Sequence, residues 1–237
     1  MKILSFETST KSFSLALSSD EKILACRNFK LNRVLSSSIM PAIRMILKKT
    51  DHSFKDIDGL AVGLGPGSFT SLRVGLSTVK GLALASKKPV VGIPSLDILA
   101  ANTPLHITTP VCVLCDARRS LLYSAFYQSS STGLRLLGDY SLLGIDALLD
   151  KIKEPAFFIG DGIALYREEI IRWFEKKWNK KNFSMDDFFA KEKDWYPRSD
   201  RLARLAYPRF VKRDFDSVDK IVPIYLYSED CQVVKKS

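Results

Sequence analysis

Two acidic residues, Glu7 and Asp116, stand at matching places in the two halves of this 237-residue chain, each where an apolar run gives way to a polar turn. ILSFETST sets Glu7 ahead of Thr8, Ser9 and Thr10, and CDARRS sets Asp116 ahead of Arg118 and Arg119. Carboxylates at strand ends can hold Mg²⁺ through water, and a guanidinium beside one can clamp an anion. A third piece of that chemistry is the glycine-rich turn of GLAVGLGPGSF, with Gly63, Gly65 and Gly67 around Pro66. Glycine admits positive φ and close backbone approach. Ser68 then opens a helix that it is placed to cap, and the free first-turn amides and dipole of such a helix attract anions. Gly65, Gly67 and Ser68 are therefore the phosphate-cradle candidates, and Glu7, Asp116 and Arg118 the candidate cleft residues. A P-loop is excluded, because no Gly-Lys-Ser/Thr follows, and Phe69 stands near where GxGxxG needs its last glycine. A tight strand-to-helix turn that binds nothing accounts for Gly65, Gly67 and Ser68 equally well. Asp116 with Arg118 reads as an acid with its anion clamp, or as a surface turn pair.

Other chemistries have little to work with. The only histidines, His52 and His106, are isolated, so no metal site and no catalytic residue is assigned. Cys112 and Cys115 have CxxC spacing but lie in an apolar run, where positions three apart in a strand point to opposite faces. They read as structural thiols. MKILSFETST turns polar too early for a signal peptide, and no apolar run approaches the roughly 18 residues of a membrane span. A soluble cytoplasmic protein is expected. The net charge of +10 is spread along the chain rather than gathered in one patch, which argues weakly for RNA.

The elements that position these residues follow from periodicity. Residues 3–6, 12–17 and 23–27 read as an antiparallel meander. Ser38 caps a helix to about Lys49 with an apolar stripe of Ile39, Met40, Ile43, Ile46 and Leu47. A strand to Val62 feeds the glycine turn, and the helix after it carries Leu72, Leu76, Val79 and Ala83. Its other face is small: Ser71, Gly75, Thr78 and Gly81. A glycine inside a helix costs roughly 1 kcal/mol, so two of them imply close packing, by the chain's own sheet or by another subunit. A strand at 89–93 and a helix from Pro94-Ser95 to Ala101 complete a β-β-β-α-β-α-β-α order. Residues 103–110 read as a boundary, after which the opening order recurs: strands over 112–126, a third over 134–138, a helix over 146–151, and a strand at 156–159 ending in Gly160-Asp161-Gly162. Two subdomains, 1–103 and 104–237, are expected, with the tail at 222–226 packing back on the first. A helix over 165–181, irregular chain over 182–197, an Asp200 helix presenting Arg201, Arg204 and Arg209, and a frayed end at 231–237 follow. With Lys212 and Arg213, those arginines raise direct tRNA binding as one reading; a solvated helix face is the other.

GLGPGSFTSLRVG, ILSFETST, CDARRSLLY and the tail PIYLY together resemble the bacterial TsaB (YeaZ) family, the inactive paralogue of the TsaD threonylcarbamoyltransferase. The resemblance covers the first 127 residues and, more faintly, the tail. It implies an α/β actin-like (ASKHA) fold of two RNase H-like subdomains, each a mixed sheet flanked by helices. It implies a non-catalytic scaffold in the making of threonylcarbamoyladenosine at position 37 of tRNA. The implied partners are a TsaD-like subunit in a heterodimer, a TsaE-like ATPase of the same complex, and a second copy when alone, with tRNA met indirectly and no membrane. No cofactor is required, and nucleotide binding is left open. Pairing in that family runs through the first two helices, here placing Ile39, Met40, Ile43, Ile46, Leu47, Leu72, Gly75, Leu76, Thr78 and Val79 at the partner interface. Glu7 stands where the family commonly has Asp, Leu35 where a His begins its helix segment, and Ser71 where Gly follows SFT. The rival expectation is an ATP-dependent phosphotransferase or a peptidase of the same superfamily.

Overall fold

The structure, a computed structural model, describes residues 1–10, 12–30, 35–130, 133–178 and 185–227. The chain divides into two compact units: Met1–Ile98 with Pro197–Ile224, and Leu99–Tyr196 with the described residues from Tyr225 on.

The first unit opens with the meander β1 (Lys2–Glu7), β2 (Ser12–Ser19) and β3 (Lys22–Lys30), followed by α1 (Leu35–Lys49). Then come β4 (Gly59–Gly63), α2 (Phe69–Ser86), β5 (Val90–Ile93) and α3 (Ser95–Ala100). The sheet order is β3-β2-β1-β4-β5; the meander pairs are antiparallel, and β1, β4 and β5 are parallel. Strand alternation divides the apolar residues between two faces. Leu4, Phe6, Leu60 and Val62 meet the inner sides of α1 and α2. Ile3, Ala61, Val91 and Ile93 meet Leu202, Ala206 and Phe210 of a much later helix, Ser199–Val211. Both faces are buried, as a sheet with a parallel core requires.

The second unit repeats the order with β6 (Val111–Arg118), β7 (Leu121–Ser130), β8 (Gly133–Leu143), α4 (Ile145–Asp150), β9 (Phe157–Ile159) and α5 (Ile163–Trp178). Its sheet order, β8-β7-β6-β9, has the same antiparallel meander and parallel β6/β9 pair. Cys112, Leu114 and Phe158 pack with Leu148, Leu149, Ile163 and Ile170. Cys112 is a core side chain whose thiol burial pushes upward, as the strand alternation predicts. The recurrence read in the sequence is thus an RNase H-like unit present twice, in an actin-like α/β fold.

Several boundaries differ from expectation. Helix α1 starts at Leu35, so Ser38 lies inside it, and Pro41 is accommodated within. Ser68 stands at the N-cap of α2 without a side-chain capping bond; its hydroxyl donates to Ser71 Oγ at 3.1 Å instead. Strand β8 extends beyond the expected 134–138 to Leu143. Two 3₁₀ turns, Met185–Phe188 and Glu192–Asp194, punctuate the stretch expected to be irregular. Helix α6 (Ser199–Val211) packs on the first sheet, not with the half in which its sequence position places it. Its docking is locked by Ser199, whose hydroxyl donates to Ser14 O at 2.6 Å and whose amide donates to Ser14 Oγ at 3.0 Å. The tail returns to the first unit at Ile221, which is buried, and at Ile224, whose amide donates to Leu64 O at 2.8 Å. The expectation for 231–237 lies outside the described residues.

Candidate functional site

Parallel pairing sets Phe6 opposite Val62, so Glu7 ends β1 beside Gly63 at the end of β4. A Cβ at position 63 would lie 1.9 Å from Glu7 Oε2; the carboxyl takes the space that any other residue would fill. Glu7 Oε1 accepts the Ser9 amide at 2.7 Å, and Oε2 accepts the Ser95 hydroxyl at 3.0 Å. Ser95 Oγ in turn accepts the Gly65 amide at 3.0 Å, and the Ser95 amide donates to Gly65 O at 2.7 Å. On the other side of the turn, Ser9 O accepts the Ser68 amide at 2.7 Å, and a Cβ at Gly67 would meet that oxygen at 2.2 Å. Gly65 has a φ of 91°, the left-handed region that glycine tolerates.

These contacts favour the second of the two sequence readings, a tight strand-to-helix turn. The Gly65 and Ser68 amides are engaged by Ser95 Oγ and Ser9 O. Glu7 is wholly buried rather than open to a cleft. Burial raises its pKa, and outweighs the hydrogen bonds from Ser9 and Ser95 that favour the charged form. Ser95, which ties the acid to the glycine turn, was legible only as a helix start. Its signal is a small hydroxyl residue two positions beyond the end of β5, the strand beside the one that feeds the glycine turn.

In the second unit Asp116 is spent on its own turn. Its Oδ1 accepts the Arg118 amide at 2.7 Å, its Oδ2 lies 3.3 Å from Arg118 Nη1, and its amide donates to Asp161 Oδ1 at 2.9 Å. Asp161 is the polar member of the Gly160-Asp161-Gly162 echo; the sequence marked the echo but not this contact. Among the described residues, no three His, Cys, Asp or Glu side chains gather as metal ligands would.

The helix faces also require a correction. Ile39, Ile43, Ile46, Leu47, Leu72, Leu76 and Val79 are all buried in the first unit's own core. Gly75 is small because of Thr8, since a Cβ there would meet Thr8 Oγ1 at 2.2 Å. Of the ten residues expected at a partner interface, Met40 is exposed and Thr78 half-buried. An amphipathic stripe reports burial, and here the covering surface is the chain's own sheet. The outward side of the α1–α2 pair carries Met40, Pro41 and Arg44 on α1, and Phe69, Arg73, Ser77, Gly81 and Leu84 on α2. Leu84 is 64% exposed, Arg73 stacks on Phe69 with its guanidinium carbon 3.7 Å from the ring centre, and no atom of the described residues lies within 4 Å of a Cβ added at Gly81. No helix among the described residues is long and apolar enough to cross a membrane.

On α6 the arginines divide. Arg209 is tied to Asp214 at 2.8 Å, Asp216 at 3.1 Å and Gly92 O at 3.1 Å and is half-buried, whereas Arg204 is exposed.

Topology and site together define an actin-like protein in which the glycine turn and the acid of the first unit are occupied from within. The chain matches, over residues 30–205, the family model described as TsaD: tRNA N6-adenosine threonylcarbamoyltransferase. It is 30% identical over 174 residues to the tRNA threonylcarbamoyladenosine biosynthesis protein TsaB of Bacillus subtilis, covering 72% of this chain and 75% of that one. The Haemophilus influenzae protein of the same name is 28% identical, covering 97% and 94%. The fold of YeaZ from Pseudomonas aeruginosa superimposes with a TM-score of 0.75 at 24% identity, over 95% of this chain and 99% of that one. The chain belongs to the TsaB (YeaZ) family.

Proposed function

We propose that this chain is a non-catalytic subunit in the biosynthesis of threonylcarbamoyladenosine in tRNA, acting in the cytoplasm and pairing with a TsaD-like subunit that carries the reaction. The supporting observation is the closed Glu7–Ser95–Gly65 network, which leaves the first unit's carboxyl buried and its turn amides engaged. A phosphate or hydrated cation arriving there would have to break those bonds. The pairing surface is the outward side of α1 and α2. Met40, Phe69 and Leu84 offer apolar contact, and Ser77 and Gly81 let a second helix come close. The same face can meet a second copy when the subunit is absent, and a TsaE-like ATPase joins the assembled pair.

Two measurements test this. Depletion of the chain should lower the threonylcarbamoyladenosine content of cellular tRNA, and the purified chain should comigrate with a TsaD-like subunit in gel filtration. Unchanged modification on depletion overturns the biosynthetic role. ATP turnover or peptide cleavage by the isolated chain, abolished by Glu7→Gln, would instead make it an enzyme.

A further inference from the structure

The β6–β7 hairpin carries a turn at odds with its sequence. Arg118, Arg119 and Ser120 have φ values of 69°, 53° and 58°, three consecutive non-glycine residues in the left-handed region. Arg118 pairs with Leu121, so Arg119 and Ser120 are the two loop residues of a hairpin whose turn demands positive φ and normally selects Asn-Gly. Two arginines and a serine stand there instead, all three exposed. Such a conformation persists only where its surroundings fix it. Asp116 holds the Arg118 amide and guanidinium, and the Tyr227 hydroxyl donates to Ala117 O at 2.7 Å, with Arg118 O at 3.3 Å. The Tyr123 ring meets Tyr227 edge-on with centroids 6.1 Å apart.

We propose that this Arg118–Arg119 tip contacts the phosphate backbone of RNA. The inference rests on the tRNA-modifying role proposed for the chain and adds a direct contact to it. Guanidinium forks match phosphate oxygens in bidentate fashion, and a rigid base loses little freedom when they engage. An arginine that anchors a protein interface is desolvated in a well-packed pocket with aromatic company, and the exposed Arg-Arg-Ser turn brings no such neighbour of its own. A phosphate contact needs none, and it fixes register rather than reading sequence.

The test is binding of a labelled tRNA transcript, across a salt series, to the full chain assembled with its TsaD-like subunit. R118E/R119E is expected to weaken binding and to lower the slope of log affinity against log salt by about 0.7–0.9 for each phosphate no longer neutralised. R119Q leaves the Asp116–Arg118 pair intact and should give a smaller drop of the same kind; it decides the matter if the charge reversal does not fold. Y227F keeps both charges, and should weaken binding with the slope unchanged. Failure of the two subunits to assemble refutes the pairing reading alone, and the same measurements are then made on the chain by itself. The tip proposal is overturned if the native protein does not bind tRNA, if the folded arginine variants bind with native affinity and slope, or if they lose the partner subunit rather than the RNA.

Discussion

The Ser95 hydroxyl donates to Glu7 Oε2 at 3.0 Å while accepting the Gly65 amide, so one side chain joins the end of β1 to the glycine turn before α2. The carboxyl it meets is buried and held above the usual carboxylate range by desolvation. The folded state therefore keeps the Glu7 proton to a higher pH than the unfolded chain does. The contribution of this group is fully present below the ordinary carboxylate pKa and is lost as pH rises through the raised folded value. Glu7→Gln removes the titration. The wild-type-minus-variant stability from urea unfolding should fall across that window and level off above it; a flat difference refutes the assignment.

Gly75 and Thr8 form a second close pair. Gly75→Ala puts a methyl 2.2 Å from Thr8 Oγ1, and should cost about 1–3 kcal/mol by overpacking despite the better helix propensity of alanine. That hydroxyl is buried without a hydrogen-bond partner among the described residues, so Thr8→Ala alone should be close to neutral. The double variant should recover part of the loss. Additive effects in a chemical-denaturation cycle would show that the two do not touch.

Gly81 lies six residues further along α2 and behaves in the opposite way. Gly81→Arg meets open space and replaces a poor helix former, so the thermal transition should hold or rise by the equivalent of up to about 1 kcal/mol. Pairing with a TsaD-like subunit should nevertheless weaken at least tenfold, about 1.4 kcal/mol by calorimetric titration. Leu84→Glu should act in the same direction. Native affinity in both would move the pairing surface elsewhere.

Phe210 of α6 is buried against the second face of the first sheet. Phe210→Ala should cost about 3–5 kcal/mol. Arg204→Ala, on the exposed side of the same helix, should change the unfolding midpoint little.

Local pattern carried the element order well. The alternation of Ile3, Leu4 and Phe6, the stripe of α1 and the recurrence after residue 110 each follow from spacing alone, and each is present in the structure. What covers each apolar face is a long-range matter. Leu202, Ala206 and Phe210 have helical spacing, but nothing near them in sequence says that their partners are Ile3 and Val91. For the same reason the stripes of α1 and α2 announced burial without saying that the chain's own sheet supplies it. The glycines misled in a similar way. Gly75 and Gly81 look alike in sequence, yet one faces Thr8 and the other open space. The Glu7 contact to Ser95 spans 88 residues and depends on the parallel register of β1, β4 and β5, which spacing alone does not encode.

Because α6 belongs to the first sheet, that sheet's second face waits for a helix encoded about a hundred residues after β5. A nascent chain leaves the ribosome at roughly 5–20 residues per second. For several seconds Ile3, Ala61 and Val91 would thus be bare while the intervening unit is still being made. The amino-terminal half is the part of this protein most dependent on chaperone protection during synthesis, and a polypeptide stopped before residue 199 should precipitate rather than fold.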